Sequence, residues 1–470
     1  MIFSSGKNLR LLLPYPFLIL LFSSLLFFQI YSVQLGIFSY AFVLICLGLS
    51  FFLFTKLEKS FFENYFHEFL FFGILLRVML SVSLPIWEDD WARYLWEGAM
   101  ISHDFSPYQL APDFFFSNDS SILNSERASE ILSRVNHPDW TTIYFPWIEL
   151  YFSWIHSIAP FSLIELKLSY IVFDLAIFWF IFKLSNEKAA VLYFLFPILL
   201  KEIYINAHFE VIPLFFISAS FWLMENKFRY LSWFLFGLSV HCKLFLIIFF
   251  PYFVFRKRIF ENKLFPNILY YFSASFLFGT GLASGFFAYK YIVGLDGSED
   301  IRSLLLFASS FEFNSILFYI LGSFVEKSII KLLFIFLMIG INLFIILQRN
   351  RFFKNRKRSM ATMSFLFFCY LIINPIANPW YFLFLLPLYL ISFSDNSLGW
   401  ANLFIPQLAY FTYTNLGILP SSKEEFGFYN LPALVLWAEI FLFFTIFISF
   451  PKNYSILLYK ISNISNFCKN

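Results

Sequence analysis

The segment WEDDWARYLWEG, residues 87–98, concentrates charged side chains in a chain that is otherwise mostly apolar. Asp89 and Asp90 follow an apolar run, at the point where a membrane helix would reach water. Read as a helix, the spacing places Asp89, Arg93 and Glu97 on one face, at i, i+4 and i+8. A carboxylate beside a guanidinium stays ionised at neutral pH, as a general base must. Asp89 and Asp90 are therefore the candidate catalytic residues.

The same segment also has a purely structural interpretation. Acidic residues in the first turn of a helix complement its dipole, and Asp–Arg pairs at this spacing support the helix. Trp and Tyr side chains are common anchors at a membrane surface. The choice between the two interpretations depends on the rest of the chain.

The composition is typical of a helical membrane protein. Of the 470 residues, 60% are hydrophobic and only 13% are charged. Apolar runs of about 20 residues recur, and each is long enough to cross a hydrocarbon core of about 30 Å. Solid apolar blocks favour helices over the alternating pattern of a membrane barrel. We therefore predict an all-α integral membrane protein, a single polytopic bundle of about 12–14 spans over residues 1–470.

The basic residues give the bundle an orientation. The two densest basic loops, residues 256–263 and 349–358, are expected in the cytoplasm by the positive-inside rule. This places the large hydrophilic loop 86–145 on the outer side, together with residues 288–312 and 374–380. We predict that 86–145 is an extracytoplasmic catalytic loop with short amphipathic helices on the membrane surface.

The apolar runs also predict the individual spans. Lys243 interrupts the run at 230–255, so a pair of half-helices is an alternative to one span there. The candidate spans are 11–30, 36–54, 67–85, 146–160, 163–183, 189–205, 209–224, 230–255, 265–287, 328–348, 360–377, 380–394, 398–416 and 430–450.

The sequence does not favour a soluble nucleotide donor, because it contains neither a P-loop nor a G-x-G-x-x-G segment after a strand. The formal net charge is only +3 and the basic residues cluster in short loops, so we expect no nucleic-acid partner. The four cysteines lack the spacing of a metal or disulfide framework.

Several segments resemble, in order along the chain, those of polytopic bacterial GT-C glycosyltransferases of the polyprenyl-phosphate-mannose-dependent mannosyltransferase family, distantly akin to the mannosyltransferase of GPI-anchor assembly. Three positions depart from the family pattern: Glu97 replaces an aspartate, Trp147 a proline and Asn378 a histidine. The resembling segments are EDDWARYLWEG (88–98), HDFSPY (103–108), RVNHPDWTTIYFP (134–146), KLSYIVFDLAIFWF (167–180), INAHFEVIPLFF (205–216), HCKLFLIIFFP (241–251), FEFNSILF (311–318) and NPWYFLFLLPL (378–388).

The resemblance implies an inverting sugar transfer on the outer face of a bacterial inner membrane. The donor would be a sugar, with mannose expected, on a polyprenyl phosphate, and the acceptor a hydroxyl of a glycolipid or polysaccharide. An aspartate would act as general base, and the partners would be donor, acceptor and lipid bilayer. No cofactor is expected: two adjacent carboxylates can bind a divalent metal, but the sequence offers no obvious third ligand.

The residues expected to bind substrate come from the charged segment, the outer loops and the late turn. Arg302 is preferred as the phosphate ligand over Arg134, His137 and Lys290, although a solvated loop charge is an equal alternative. Asp174 and Lys243 lie within apolar runs, so each needs a polar groove or a partner. The full set of predicted substrate-binding residues is Arg93, Glu97, Tyr108, His137, Tyr144, Arg302, Asn378, Trp380 and Tyr381.

Asn206, His208 and Glu210 lie in a break between apolar runs, where ionisable side chains are candidates for a functional site. A loop at the membrane surface would explain them equally well.

Two other functions stay open from the sequence. A transporter of lipid-linked saccharides would carry its charges near the bilayer midplane on broken helices, whereas the acidic pair here follows the end of a span. A polysaccharide polymerase or ligase would typically have a large outer loop late in the chain, whereas this loop is early. Sugar transfer is therefore the preferred prediction.

Overall fold

The computed structural model describes residues 51, 53–85, 88–117, 121–256, 264–294, 302–311, 313 and 316–393. Over these residues the regular structure is helical, apart from one isolated parallel bridge between Phe313 and Ile376. The all-α prediction is thus confirmed for this part of the chain. The predicted spans that lie outside the described residues are 11–30, nearly all of 36–54, 398–416 and 430–450.

The helices are numbered here in chain order. Four further segments are not α-helical: 3-10 turns at Ser121–Leu123, Leu244–Phe249 and Pro379–Phe384, and a π-helix at Leu200–Ile205. The α-helices are α1 Lys59–Asn64, α2 Phe66–Ser81, α3 Asp90–Ser102, α4 Phe114–Ser117, α5 Glu126–Ser133, α6 Pro146–Ile158, α7 Leu163–Leu184, α8 Glu187–Phe194, α9 Pro197–Leu199, α10 Val211–Glu225, α11 Arg229–Cys242, α12 Phe250–Phe255, α13 Leu264–Val293, α14 Arg302–Ser310, α15 Ile316–Gly322, α16 Lys327–Leu347, α17 Arg349–Phe352, α18 Arg356–Ile373 and α19 Leu385–Phe393.

Two of the predicted spans are broken. The run at 189–205 stops before Pro197, because proline has no N–H and clashes with the preceding helical turn. The run at 230–255 stops at Lys243, whose backbone is extended (φ −149°, ψ 104°). The run at 230–255 therefore forms a pair of half-helices, which was the alternative to a single span. The break between them leaves Lys243 outside regular structure.

Two helices are long and apolar enough to cross a membrane, Asn267–Val293 within α13 and Lys327–Leu347, which is α16. Only 22% and 11% of their most apolar windows are buried within the protein. Large side chains such as Phe272 and Phe287 are therefore exposed, and contact with lipid would remove them from water. The structure thus gives two candidate spans.

Helices of the 86–145 segment differ in their surroundings. Helix α5 buries Ala128, Ile131 and Leu132 and exposes most of its charged side chains, as a helix lying on a surface does. Helix α3 is instead buried at every residue from Trp91 to Met100. The expectation of surface helices thus describes α5 but not α3, because α3 packs between other helices and carries its charges into the interior.

Gly98 allows α3 to approach α6 closely. A Cβ atom at Gly98 would lie 2.6 Å from the main-chain oxygen of Phe152, which is too close for any side chain. The glycine is therefore needed for packing, and it sets the distance between the helix of the acidic pair and its neighbour.

We expect Gly98→Ala to lower the free energy of unfolding by about 1–3 kcal/mol, because backbone rather than a flexible side chain must move. Thermal unfolding of the purified protein in detergent measures this. Gly279→Ala is the matched control, since a Cβ atom there meets nothing within 4 Å. Equal melting temperatures for the two variants would contradict the close packing of α3 and α6.

Candidate active site

The two aspartates stand at the start of α3, where one asparagine joins them. Asp89 is the N-cap residue and Asp90 is the first residue of the helix. The side-chain amide of Asn136 donates to the Oδ1 atom of each aspartate, at 2.8 Å in both cases. An amide nitrogen carries two protons, so it can serve both carboxylates at once. Asn136 therefore holds two like charges side by side.

Asp89 lies on the open side of this pair. Asp89 is exposed to solvent, whereas Asp90 is half-buried. Partial desolvation and then the charge of Asp90 raise the pKa of the Asp89 carboxyl, and the hydrogen bond from Asn136 opposes that rise. The amide of Asn136 thus favours the ionised form that a general base requires.

Asp90 lies beside the aromatic side chains of the site. Its negative charge acts on Tyr94, Tyr144, His208 and Tyr381, which come from four separate segments. Burial and then the charge of Asp90 raise the pKa of the Tyr144 phenol, which therefore keeps its proton and can donate a hydrogen bond. A sugar ring held among these groups would lie next to a carboxylate.

Arg93 is buried, and its guanidinium binds groups of the protein itself. Nη1 donates to Oε1 of Glu97 at 2.7 Å. Further N–H groups donate to the side-chain and main-chain oxygens of Asn136, and to the main-chain oxygens of His137 and Trp140. These contacts tie Arg93 to the turn that carries Asn136, whereas the sequence predicts that Arg93 binds substrate.

Glu97 is joined to a second buried carboxyl group. Oγ1 of Thr142 lies 3.1 Å from Oε2 of Glu97 and 2.7 Å from Oε1 of Glu149, and the two carboxyl groups share a hydrogen bond. Burial raises the pKa of Glu97, and its ion pair with Arg93 opposes the rise. Such a carboxyl pair needs a proton, which we assign to Glu149 because Arg93 favours ionised Glu97. Glu97, which the sequence predicts to bind substrate, is 0% exposed and pairs with Arg93 at 2.7 Å.

His208 is held in the middle of the site by an aromatic stack and a carboxylate. Its ring centroid lies 3.8 Å from that of Trp380, with the planes nearly parallel. Nδ1 lies 3.3 Å from the hydroxyl of Tyr94, and Nε2 lies 3.3 Å from Oε2 of Glu202. The late turn at Trp380 and the break at His208 are therefore brought together beside α3.

Asp174 and Lys243, which were expected to need partners, both have them. Nε of Arg77 lies 2.7 Å from Oδ2 of Asp174, and the hydroxyl of Tyr204 donates to the same oxygen at 2.8 Å. Nζ of Lys243 lies 2.7 Å from Oε1 of Glu210. The Arg77–Asp174 ion pair is fully buried and joins α2 to α7. The Lys243 side chain is 15% exposed and lies at the candidate active site.

Tyr108 and His137 lie at the rim of the site. The Tyr108 hydroxyl donates to the main-chain oxygen of Tyr144 at 2.9 Å. His137 is exposed and has a positive φ of 42°, and its ring stacks on Trp140 at 4.6 Å. An interaction with His137 also lowers the pKa of Asp89, which places the ring near the open side of the pair.

The remaining predicted residues belong to two later segments. Arg302 is exposed at the start of α14, and Ser303 beside it accepts a hydrogen bond from the main-chain nitrogen of Thr141 at 3.0 Å. Asn378 is buried at the start of the 3-10 turn that carries Trp380 and Tyr381. The bridge between Phe313 and the turn before Asn378 holds this segment in place.

The sequence did not single out Asn136, Thr142, Glu149 or Glu202. Asn136 adjoins His137, which was predicted, and its place within the resembling segment 134–146 is the signal that would have found it. Glu149 and Glu202 are acidic residues inside apolar runs, so the cost of burying a charge was a usable signal for both.

Comparisons with known proteins found no matching family model, no matching curated protein and no matching solved structure. Among the residues that the structure describes, no group of three or more His, Cys, Asp or Glu side chains has the arrangement of a metal site. The functional argument therefore rests on the chemistry of the site and on the resembling segments.

Proposed function

We propose that this protein transfers a sugar, with mannose expected, from a polyprenyl-phosphate donor to a hydroxyl of a glycolipid or polysaccharide acceptor. The observation that carries the proposal is the paired carboxylate of Asp89 and Asp90, bridged by Asn136. His208 lies within reach of the Asp90 charge, and Glu210 links it to Lys243. Acidic, aromatic and cationic side chains are the groups that an acceptor hydroxyl, a sugar ring and a phosphate require.

The reaction is a single displacement at the anomeric carbon. The acceptor oxygen forms a bond to that carbon as the bond to the phosphate oxygen breaks, and the electron pair leaves with the phosphate. The hydroxyl proton passes to an aspartate, for which we choose Asp90, because it lies beside the aromatic groups that would hold the sugar. Asn136 holds Asp90 in place, and attack from the face opposite the phosphate inverts the anomeric centre.

The apolar surface of the chain fits a donor of this kind. A polyprenyl chain needs a lipid phase, and α13 and α16 expose apolar side chains along most of their length. The phosphosugar end needs a polar site at the edge of that phase. We accordingly place the protein as a multi-pass protein of a bacterial inner membrane, with the 86–145 segment on the outer side.

A donor test decides between this function and a nucleotide-dependent one. Purified protein is given radiolabelled polyprenyl-phosphate mannose or GDP-mannose, with the lipid extract of a deletion strain as acceptor. We expect label in the acceptor lipids only with the polyprenyl donor, because the sequence has no pocket signature for a nucleotide. Transfer from GDP-mannose without any lipid carrier would refute the proposal, as would the absence of transfer from polyprenyl-phosphate sugars of every type tried.

A further inference from the structure

Lys243 stands where α11 ends, against Phe209 and the late aromatic turn. Its ammonium lies 4.7 Å from the centroid of the Phe209 ring and 5.2 Å from that of Tyr381. Oε1 of Glu210 lies 2.7 Å away, and the Glu210 side chain is 1% exposed. The charges of Glu210 and Asp90 both act on the Tyr381 phenol, so this side chain lies between the lysine and the region of the acidic pair. The ammonium is thus fixed at one edge of the site.

The other cations of this region are used in different ways. The Arg93 guanidinium binds Glu97 and the turn at Asn136, as described above. The ammonium of Lys201 lies 2.9 Å from Glu202, and its side chain is only 7% exposed. Among the described residues Lys243 pairs with one carboxylate, and its side chain is 15% exposed. An ammonium has three protons, so Lys243 can keep its ion pair with Glu210 and still donate to a phosphate oxygen.

We propose that Lys243 binds the phosphate of the donor and stabilises it as it leaves, with Glu210 holding the ammonium in position. This inference rests on the proposed function and deepens it. The donor is a phosphodiester with one negative charge, and the leaving polyprenyl phosphate is a monoester that gains a second. A cation at this place therefore binds the transition state more strongly than the bound donor, which is the condition for faster chemistry.

The geometry also gives Glu210 a definite part. Neither carboxylate oxygen of Glu210 has a hydrogen bond from the described residues, and Lys243 at 2.7 Å is a nearer cation than the His208 ring at 4.0 Å. Two aromatic faces on the ammonium add a weaker attraction. The lysine is thereby held ready before the phosphate arrives, and its side chain does not have to be ordered in the reaction step.

The test compares Lys243→Met with Lys243→Arg and with Arg127→Met. We expect Lys243→Met to lower kcat by about 10²–10³-fold, as removal of one charge-stabilising donor does in other enzymes. Lys243→Arg keeps the positive charge and should therefore lower kcat less than Lys243→Met does. Arg127→Met is the matched control, because Arg127 pairs with Glu130 on the surface of α5 and should leave kcat unchanged.

Product inhibition gives a readout that a structural role would not move. Polyprenyl phosphate becomes a dianion as the pH rises through about 6, the usual second pKa of a phosphate monoester. The wild-type protein should bind this product more tightly above that pH, and Lys243→Met should lose the pH-dependent part. Unchanged kcat and unchanged product inhibition in Lys243→Met would overturn the inference. It would also be overturned if Arg302→Met, and not Lys243→Met, lost kcat and the pH-dependent product inhibition.

A folding defect is separated by a charge-neutral double variant, Lys243→Met with Glu210→Gln, which leaves no buried carboxylate unpaired. If this variant has the wild-type melting temperature and still lacks product inhibition, the effect belongs to the phosphate site. Product inhibition equal to that of the wild type in the folded double variant would refute the inference. Failure of the wild-type protein to use any polyprenyl-phosphate sugar would refute the proposed function itself, whatever Lys243 does.

Discussion

Asp90→Asn is expected to lower turnover with the polyprenyl-phosphate donor at least about a hundredfold, because general base catalysis contributes about 10²–10⁴-fold. Asparagine keeps the size of the side chain and can still accept from Asn136, so expression and melting temperature should stay near those of the wild type. Steady-state rates with purified protein, at saturating donor and acceptor, measure the loss.

Asp89→Asn is the matched variant for this test. Both aspartates accept from the same amide at 2.8 Å, so the two changes disturb the Asn136 turn alike. We expect the Asp89 variant to keep most of its turnover, because Asp89 lies on the exposed side of the pair. A larger loss in Asp89→Asn would move the base to that residue, and normal rates in both variants would exclude the pair as the base.

The helical class and the importance of the acidic segment could be predicted from the sequence because both depend on local patterns. Apolar runs of helical length predict helices, and the spacing of Arg93 and Glu97 predicts the ion pair that the structure contains at 2.7 Å. The break at Lys243 was also visible as a charge inside an apolar run. Each of these signals lies within one or two turns of helix.

The cross-chain contacts could not be predicted in this way. Asn136 is 46 residues from Asp90, and His208 meets Trp380 from a separate segment. Nothing in the periodicity of one segment says which other segment will lie beside it. The contacts of Arg93 could not be predicted for the same reason, because the oxygens that it binds belong to a turn more than 40 residues away.

The arrangement of the site follows from where the helices are interrupted. His208 and Glu210 follow the π-helical segment, Lys243 separates α11 from a 3-10 turn, and Trp380 lies in another 3-10 turn. Where the backbone leaves the regular helix, polar side chains from several segments can come together at one depth in the bundle. Continuous apolar helices could place polar side chains there only by burying unpaired charges. The interruptions are therefore part of the proposed chemistry and not defects of the bundle.

Arg93→Lys is expected to lower the free energy of unfolding by about 2–4 kcal/mol, although the charge is kept. Lysine can still pair with Glu97, but its compact ammonium cannot reach the oxygens of Asn136, His137 and Trp140 together, as the guanidinium does. Buried main-chain oxygens would lose their donors. Arg127→Lys on the surface of α5 is the control, and it should change stability by less than about 1 kcal/mol.

The kinetic effect of Arg93→Lys distinguishes positioning from phosphate binding. A displaced Asn136 would no longer donate to Asp90, the proposed base, so the base would be misplaced and kcat should fall. We expect the KM for the donor to change little. A higher donor KM with an unchanged kcat would instead mean that Arg93 binds the phosphate, and that the turn at Asn136 is held without it.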